Sequence, residues 1–74
     1  MDDRTIMDHI TALVAEEQRL LEEPHHDAAR LQDVELMLDQ MWDLLRQRRS
    51  REEFGLNPDE AEARDPSTVE RYLQ

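Results

Sequence analysis

The sequence predicts an all-α fold: an antiparallel helical hairpin with coiled-coil-like packing, followed by a C-terminal arm of short helices. Apolar residues recur at alternating spacings of three and four along two stretches, which is the period of a packed helix. A proline lies between those stretches, and the only glycine follows the second one. With 74 residues and no cysteine, the chain has a small core and no disulfide to support it, so oligomerisation is expected.

The first helix is predicted over about 5–22, with Thr5 or Asp3 as its N-cap. Glu17 stands where the seam period calls for an apolar residue. The apolar seam of this helix comprises Ile6, Ile10, Leu13 and Leu20. A second apolar row lies beside the seam and comprises Met7, Val14 and Leu21. The two rows together are wider than the stripe that one neighbouring helix would cover.

The loop is predicted over 23–27, because Pro24 disfavours a helical conformation in the residue before it. Asp27 is the expected N-cap of the second helix, predicted over about 28–53. Gly55 is expected to end that helix in a left-handed conformation. The seam again alternates spacings of three and four, and comprises Leu31, Val34, Leu38, Met41 and Leu45.

A short loop makes the two helices antiparallel neighbours. Aligning the seams places Ile6 beside Leu45, and the same register brings the acidic pair Asp2 and Asp3 next to Arg48 and Arg49. Apolar pattern and charge therefore agree on one alignment. We expect Glu17 to pair across the helices with Arg30, a contact that would set the register.

The chain is accordingly divided into a hairpin, residues 1–54, and the arm, residues 55–74. Asn57-Pro58 and Asp65-Pro66 each combine a capping residue with a proline at the first helical position, which favours two short helical segments. Val69, Tyr72 and Leu73 share one face, enough to dock the arm but too few to form a core.

The second apolar rows predict a homodimer in which two hairpins form a four-helix bundle. Tryptophan and methionine are common at adaptable interfaces, and Trp42 is the expected anchor. The candidate interface residues are Met7, Val14, Leu21, Met37, Met41, Trp42 and Leu44. A non-enzymatic interaction or structural protein is the first functional hypothesis, with any protein partner unidentified.

The charge balance opposes binding to nucleic acid as a whole. Nineteen acidic and nine basic residues give a net charge of −10, which repels phosphate backbones. One basic cluster stands out at the end of the second helix: Arg46, Arg48, Arg49 and Arg51. Arginine recognises phosphate and carboxylate well, so the alternative hypothesis is an anion- or nucleic-acid-binding module there. That alternative requires these arginines to be exposed and clear of the acidic N-terminus.

The sequence does not predict a metal site, a catalytic site or a membrane segment. His25 and His26 follow two glutamates, but Pro24 breaks the helix that a Glu-x-x-His metal site needs, so no metal or cofactor is expected. Ser50 and Ser67 have no histidine near them in the predicted fold, and one glycine cannot form a phosphate loop, so no enzyme is expected. The N-terminal stretch has no apolar run typical of a signal peptide or a membrane span, which predicts a cytoplasmic protein.

One stretch carries a family resemblance: Leu38-Asp39-Gln40-Met41-Trp42-Asp43-Leu44-Leu45-Arg46-Gln47-Arg48-Arg49, followed by Asn57-Pro58-Asp59-Glu60-Ala61 and the terminal Tyr72-Leu73-Gln74. In these motifs, and over nearly its whole length, the chain resembles the small actinobacterial proteins of the domain of unknown function 2630 family. The resemblance implies a small helical protein and assigns no catalytic residue.

Overall fold

Two long helices pack against each other in the computed structural model, which describes residues 1–65 and contains no strand in that range. The first helix, α1, spans Asp3–Glu22, and the second, α2, spans Ala28–Glu53. A short 3₁₀ helix follows at Pro58–Glu60. The predicted all-helical hairpin is confirmed.

Both N-termini are capped by aspartate. The Thr5 N–H donates to Asp2 Oδ1 at 2.8 Å, so Asp2 is the N-cap of α1. The prediction of Thr5 or Asp3 as the N-cap was wrong. That hydrogen bond also lowers the pKa of the Asp2 carboxyl. At α2 the Arg30 N–H donates to Asp27 Oδ1 at 3.0 Å, as predicted. Each carboxylate satisfies an N–H that has no partner within the helix.

The chain reverses sharply at the end of α2. Gly55 has φ +72°, the left-handed conformation predicted for it. The Gly55 N–H donates to the Glu52 carbonyl at 3.2 Å and the Leu56 N–H to the Arg51 carbonyl at 2.7 Å. These two bonds form a Schellman motif, which satisfies the last carbonyls of the helix and directs the following residues back along α2.

The core forms where the two seams meet. Its buried side chains are Ile6, Ile10, Val34, Leu38, Leu44 and Leu45, and four partly buried residues pack against them: Leu13, Leu20, Met41 and Ala61. Ile6 and Leu45, the pair predicted to lie side by side, are both fully or almost fully buried. Ala61 belongs to the arm, so the arm contributes to the core as well.

One predicted ion pair is confirmed and one is wrong. Arg48 Nε lies 2.6 Å from Asp3 Oδ1, as the register requires. Arg30, however, binds Glu16 and not Glu17, with its Nε and Nη2 donating to Oε1 at 3.0 and 2.8 Å. Glu16 and Arg30 flank the seam on the same side of the hairpin, whereas Glu17 occupies a position in the seam row itself.

The first helical segment predicted in the arm is present and begins after Asn57, whose side-chain oxygen accepts from the Asp59 N–H at 3.0 Å and caps the 3₁₀ helix. The second predicted start, at Asp65-Pro66, and the predicted face of Val69, Tyr72 and Leu73 extend outside the described residues. Within residues 1–65, neither helix is long and apolar enough to cross a bilayer.

Candidate functional site

The first surface of interest lies between α2 and the arm. Two glutamine side chains of α2 bind the backbone of the arm. Gln47 Nε2 donates to the Glu62 carbonyl at 2.8 Å, and Gln40 Nε2 donates to the Arg64 carbonyl at 3.1 Å. The residues after the 3₁₀ helix therefore run back along α2 toward its N-terminus.

Asp43 is the centre of this contact, with 1 % of its surface exposed. The Arg64 guanidinium approaches both carboxylate oxygens, with Nε at 2.9 Å from Oδ2, and Gln47 Nε2 also donates to Oδ2 at 2.9 Å. Burial by itself raises the pKa of Asp43, but the hydrogen bonds from Arg64 and Gln47 outweigh it, and the pKa lies below its ordinary value. Asp43 is thus a buried carboxylate that accepts hydrogen bonds at both oxygens.

Arg48 joins three parts of the chain. It is buried, and its guanidinium donates to Asp3 at the start of α1 and to Asp59 in the arm, the latter at 2.9 Å. These hydrogen bonds, the one to Asp3 first, hold the pKa of Arg48 above its ordinary value. Arg51 makes a longer contact of 3.5 Å with Glu60. Within residues 55–65, the arm is therefore held by ion pairs and amide hydrogen bonds, in addition to the packing of Ala61 on the core.

The remaining candidate anion-binding residues are exposed. Arg46 and Arg49 lie on the surface of α2, and within residues 1–65 neither makes an ion pair. Arg46 borders a shallow groove between α2 and the arm, together with Ser50 and Leu56. The other two arginines of the cluster, Arg48 and Arg51, contact carboxylates of the same chain.

The second surface of interest is apolar and uncovered. Met7, Val14 and Leu21 of α1 are 39, 39 and 50 % exposed, and Trp42 of α2 is 40 % exposed. We call the side of the hairpin that carries these four residues the open side. The other predicted interface residues lie elsewhere: Met37 and Met41 are partly buried, and Leu44 is part of the core. Ala61 of the arm packs on the core that contains Leu44, a residue that the sequence pattern assigned to an interface.

No metal-binding group is evident in the described chain. His25 and His26 are exposed in the loop, and residues 1–65 contain no cluster of three or more potential ligands placed to hold an ion.

The polar residues of α2 that bind the arm were not predicted from the sequence. Gln40, Asp43 and Gln47 recur at spacings of three and four, which places them on one side of α2, away from the seam. A polar row of this kind on a helix is usually solvated, and the arginine that would bind it lies 21 residues away from Asp43 in an irregular segment. The polar row can be recognised in the sequence, but its partner Arg64 cannot.

In comparison with known proteins, nearly the whole chain matches one protein family. The model of the family described as "Protein of unknown function (DUF2630)" matches residues 2–74. Uncharacterized proteins of Mycobacterium bovis and Mycobacterium tuberculosis are 40 % identical over 77 aligned residues, which cover 95 % of this chain and 88 % of theirs. No solved structure matches significantly.

Proposed function

The chain belongs to the DUF2630 family, whose function is unknown, and from this premise we propose that it is a non-enzymatic helical interaction protein that acts as a homodimer. The observation that carries the proposal is the open side. A row of three large apolar residues on α1 and the tryptophan of α2 are exposed in the part of the chain that the structure describes, residues 1–65. Large apolar side chains that stay exposed along one side of a small protein support an interface there.

The proposal of a non-enzymatic role rests on the groups that chemistry would need. Asp43 is the buried carboxylate of the described chain, and its two oxygens already accept three hydrogen bonds from Arg64 and Gln47, which makes it a poor candidate for a general base. Ser50 borders the shallow groove beside Arg46, Arg51 and Arg64, and no histidine lines that groove. A nucleophile without a base is weakly reactive.

The first test is the mass in solution, measured by light scattering on a sizing column over a hundredfold dilution. We expect a dimer at the highest concentration and dissociation on dilution. A protein that is monomeric throughout, with full helical content, would contradict the proposal.

A matched pair of variants tests whether the open side is the interface. Val14→Glu places a charge in the apolar row and is expected to give a folded monomer, because docking would bury that charge. Ala15→Glu puts the same charge one residue further along α1, about 100° away around the helix, and is expected to leave the dimer intact. Equal behaviour of the two variants would argue against this surface.

The alternative, an anion- or nucleic-acid-binding module, has less support. Arg48 is buried between two carboxylates and Arg51 contacts a third, which leaves Arg46 and Arg49 as the exposed cations of the cluster. Phosphate binding by so few cations on a chain of net charge −10 is expected to be weak. A labelled single-stranded oligonucleotide should show no binding at physiological salt, and binding that is lost in an Arg46→Gln, Arg49→Gln variant would favour the alternative instead.

A further inference from the structure

Two rows of exposed side chains, each with a spacing of seven residues, run along the hairpin. On α1 the row is Met7, Val14 and Leu21, and on α2 it is Ala28, Glu35, Trp42 and Arg49. Seven residues are nearly two full helical turns, so the members of each row stay on one side of their helix. The rows also run in opposite directions, because the helices are antiparallel.

Both rows border the same side of the hairpin. The pair formed by Glu16 and Arg30 marks the opposite side. Around α1, Val14 lies about 160° from Glu16, and around α2, Trp42 lies about 120° from Arg30. In each helix the buried seam lies between the two positions, with Ile6 on α1 and Leu45 on α2.

We propose that in the homodimer, on which this inference rests, α1 of each copy packs antiparallel on α2 of the other through these two rows. Trp42 of one copy then contacts Met7 of the second copy. Continuing in the same register, Glu35 lies level with Val14 and Ala28 with Leu21. The two rows differ in composition: the large apolar residues are spread along α1, whereas α2 supplies one tryptophan anchor, a small alanine and the charged side chains of Glu35 and Arg49.

The charged residues at the ends of the two rows favour this direction and register of packing. In this register Arg49 falls beyond Met7, at the N-terminus of α1 of the second copy, where Asp2 and Asp3 lie. Opposite charges meet there, and the outer edge of the α1 row carries the uncharged side chains of Thr11 and Gln18, which can face Glu35 without repulsion.

The competing arrangement is disfavoured by the same residues. If α1 packed on α1 with the two Val14 side chains together, the level of Val14 would also bring the two Glu35 carboxylates together. Two like charges at the centre of an interface are unfavourable. Helix dipoles do not separate the two arrangements, because both give every helix antiparallel neighbours, so the separation rests on the Glu35 charges.

The size of the surface limits the affinity. The open side is about 30 Å long, from the 20 residues of α1, and about 20 Å wide, from two helix diameters. That gives about 600 Å² per copy, near the lower end of stable interfaces. The dimer is therefore expected to dissociate on dilution and to be open to exchange between copies.

Disulfide trapping tests the register cleanly, because the chain contains no cysteine. Met7→Cys and Trp42→Cys are made as separate proteins, one with a size tag, then mixed in equal amounts, equilibrated and oxidised mildly. We expect the mixed disulfide as the major product, since only residues that face each other between copies can approach within disulfide distance. Leu21→Cys mixed with Ala28→Cys tests the other end of the interface and keeps Trp42.

A Val14→Cys protein provides the control. It should crosslink with itself slowly under the same conditions. Rapid self-crosslinking of Val14→Cys, or a dimer by light scattering in which neither mixed pair crosslinks, would overturn the arrangement and leave the homodimer standing. A monomer by light scattering would overturn both the arrangement and the proposed function. Circular dichroism establishes that each variant is folded.

Discussion

The two sides of this hairpin are covered by different means. On the arm side, the chain itself packs on α2, and apart from Ala61 the contacts described are polar: Asp43 with Arg64, and Gln40 and Gln47 with backbone carbonyls. On the open side, Val14 and Trp42 are exposed and apolar. A polar contact needs accurate geometry, which a covalently attached segment brings at little entropic cost. An apolar surface accepts any partner of suitable shape, and this suits association between separate molecules.

The largest expected difference between the two sides is in the cost of removing a leucine. Leu44→Ala, on the arm side, removes a buried side chain and is expected to lower the free energy of unfolding by about 2–5 kcal/mol. Leu21→Ala, on the open side, removes a half-exposed one and should cost less than about 1 kcal/mol in the monomer. Urea unfolding at the lowest usable protein concentration measures both.

The same leucine pair sharpens the comparison when concentration is varied. If the open side is the interface, the cost of Leu21→Ala should rise with protein concentration, while that of Leu44→Ala should not change. A cost of Leu21→Ala that is independent of concentration would remove the distinction between the two sides.

The next largest effect concerns the buried carboxylate. Asp43→Asn removes the charge that Arg64 binds and presents an amide N–H to its donors, with an expected cost of about 1–3 kcal/mol at neutral pH. The pKa of Asp43 is depressed in the folded protein, so its ionised form stabilises the fold above the ordinary pKa of about 4, and that contribution is lost as the pH falls through the folded value. The difference between wild type and variant should therefore shrink below about pH 4.

Unfolding curves at neutral and acid pH check this expectation. Asp39→Asn is the matched control, since it lies one turn earlier on α2 and makes no hydrogen bond to another side chain within the described residues. A variant at Asp43 as benign as the one at Asp39 would show that the arm is not held through this carboxylate.

The smallest effect is expected at the pair that links the helices near the loop. Glu16 and Arg30 are partly exposed, so a double-mutant cycle with Glu16→Gln and Arg30→Gln should give a coupling of about 0.5 kcal/mol. The same cycle with Glu17→Gln should give none. Coupling of Arg30 to Glu17 would show that the pairing exchanges in solution.

Local rules determined much of the hairpin, and this is why the sequence predicted it. The apolar period, the cap at Asp27 and the left-handed Gly55 depend on neighbouring residues, and the contact between Asp3 and Arg48 follows once the seams are aligned. The choice of Glu16 over Glu17 depends on which residue flanks the seam on the side of Arg30, and that side was not considered when a partner was sought for the polar residue in the seam row.

The burial of Leu44 was missed for a different reason. The pattern indicated an apolar position that needs a cover, and a second molecule and the arm satisfy that need equally well. Only the placement of Ala61 and of Arg64 on α2 distinguishes the two. The open side has the same ambiguity, which the trapping experiment is designed to resolve.

The glutamines of α2 hold the arm by its main chain, and this has a consequence for mutational tolerance. Gln47 binds the carbonyl oxygen of residue 62, which every amino acid possesses, proline included. The attachment therefore places almost no demand on the exposed side chains at Glu62 and Ala63, and a saturation library at these two positions should retain most of its members. In evolutionary terms, this stretch of the arm is free to acquire new side chains while its path over α2 stays the same.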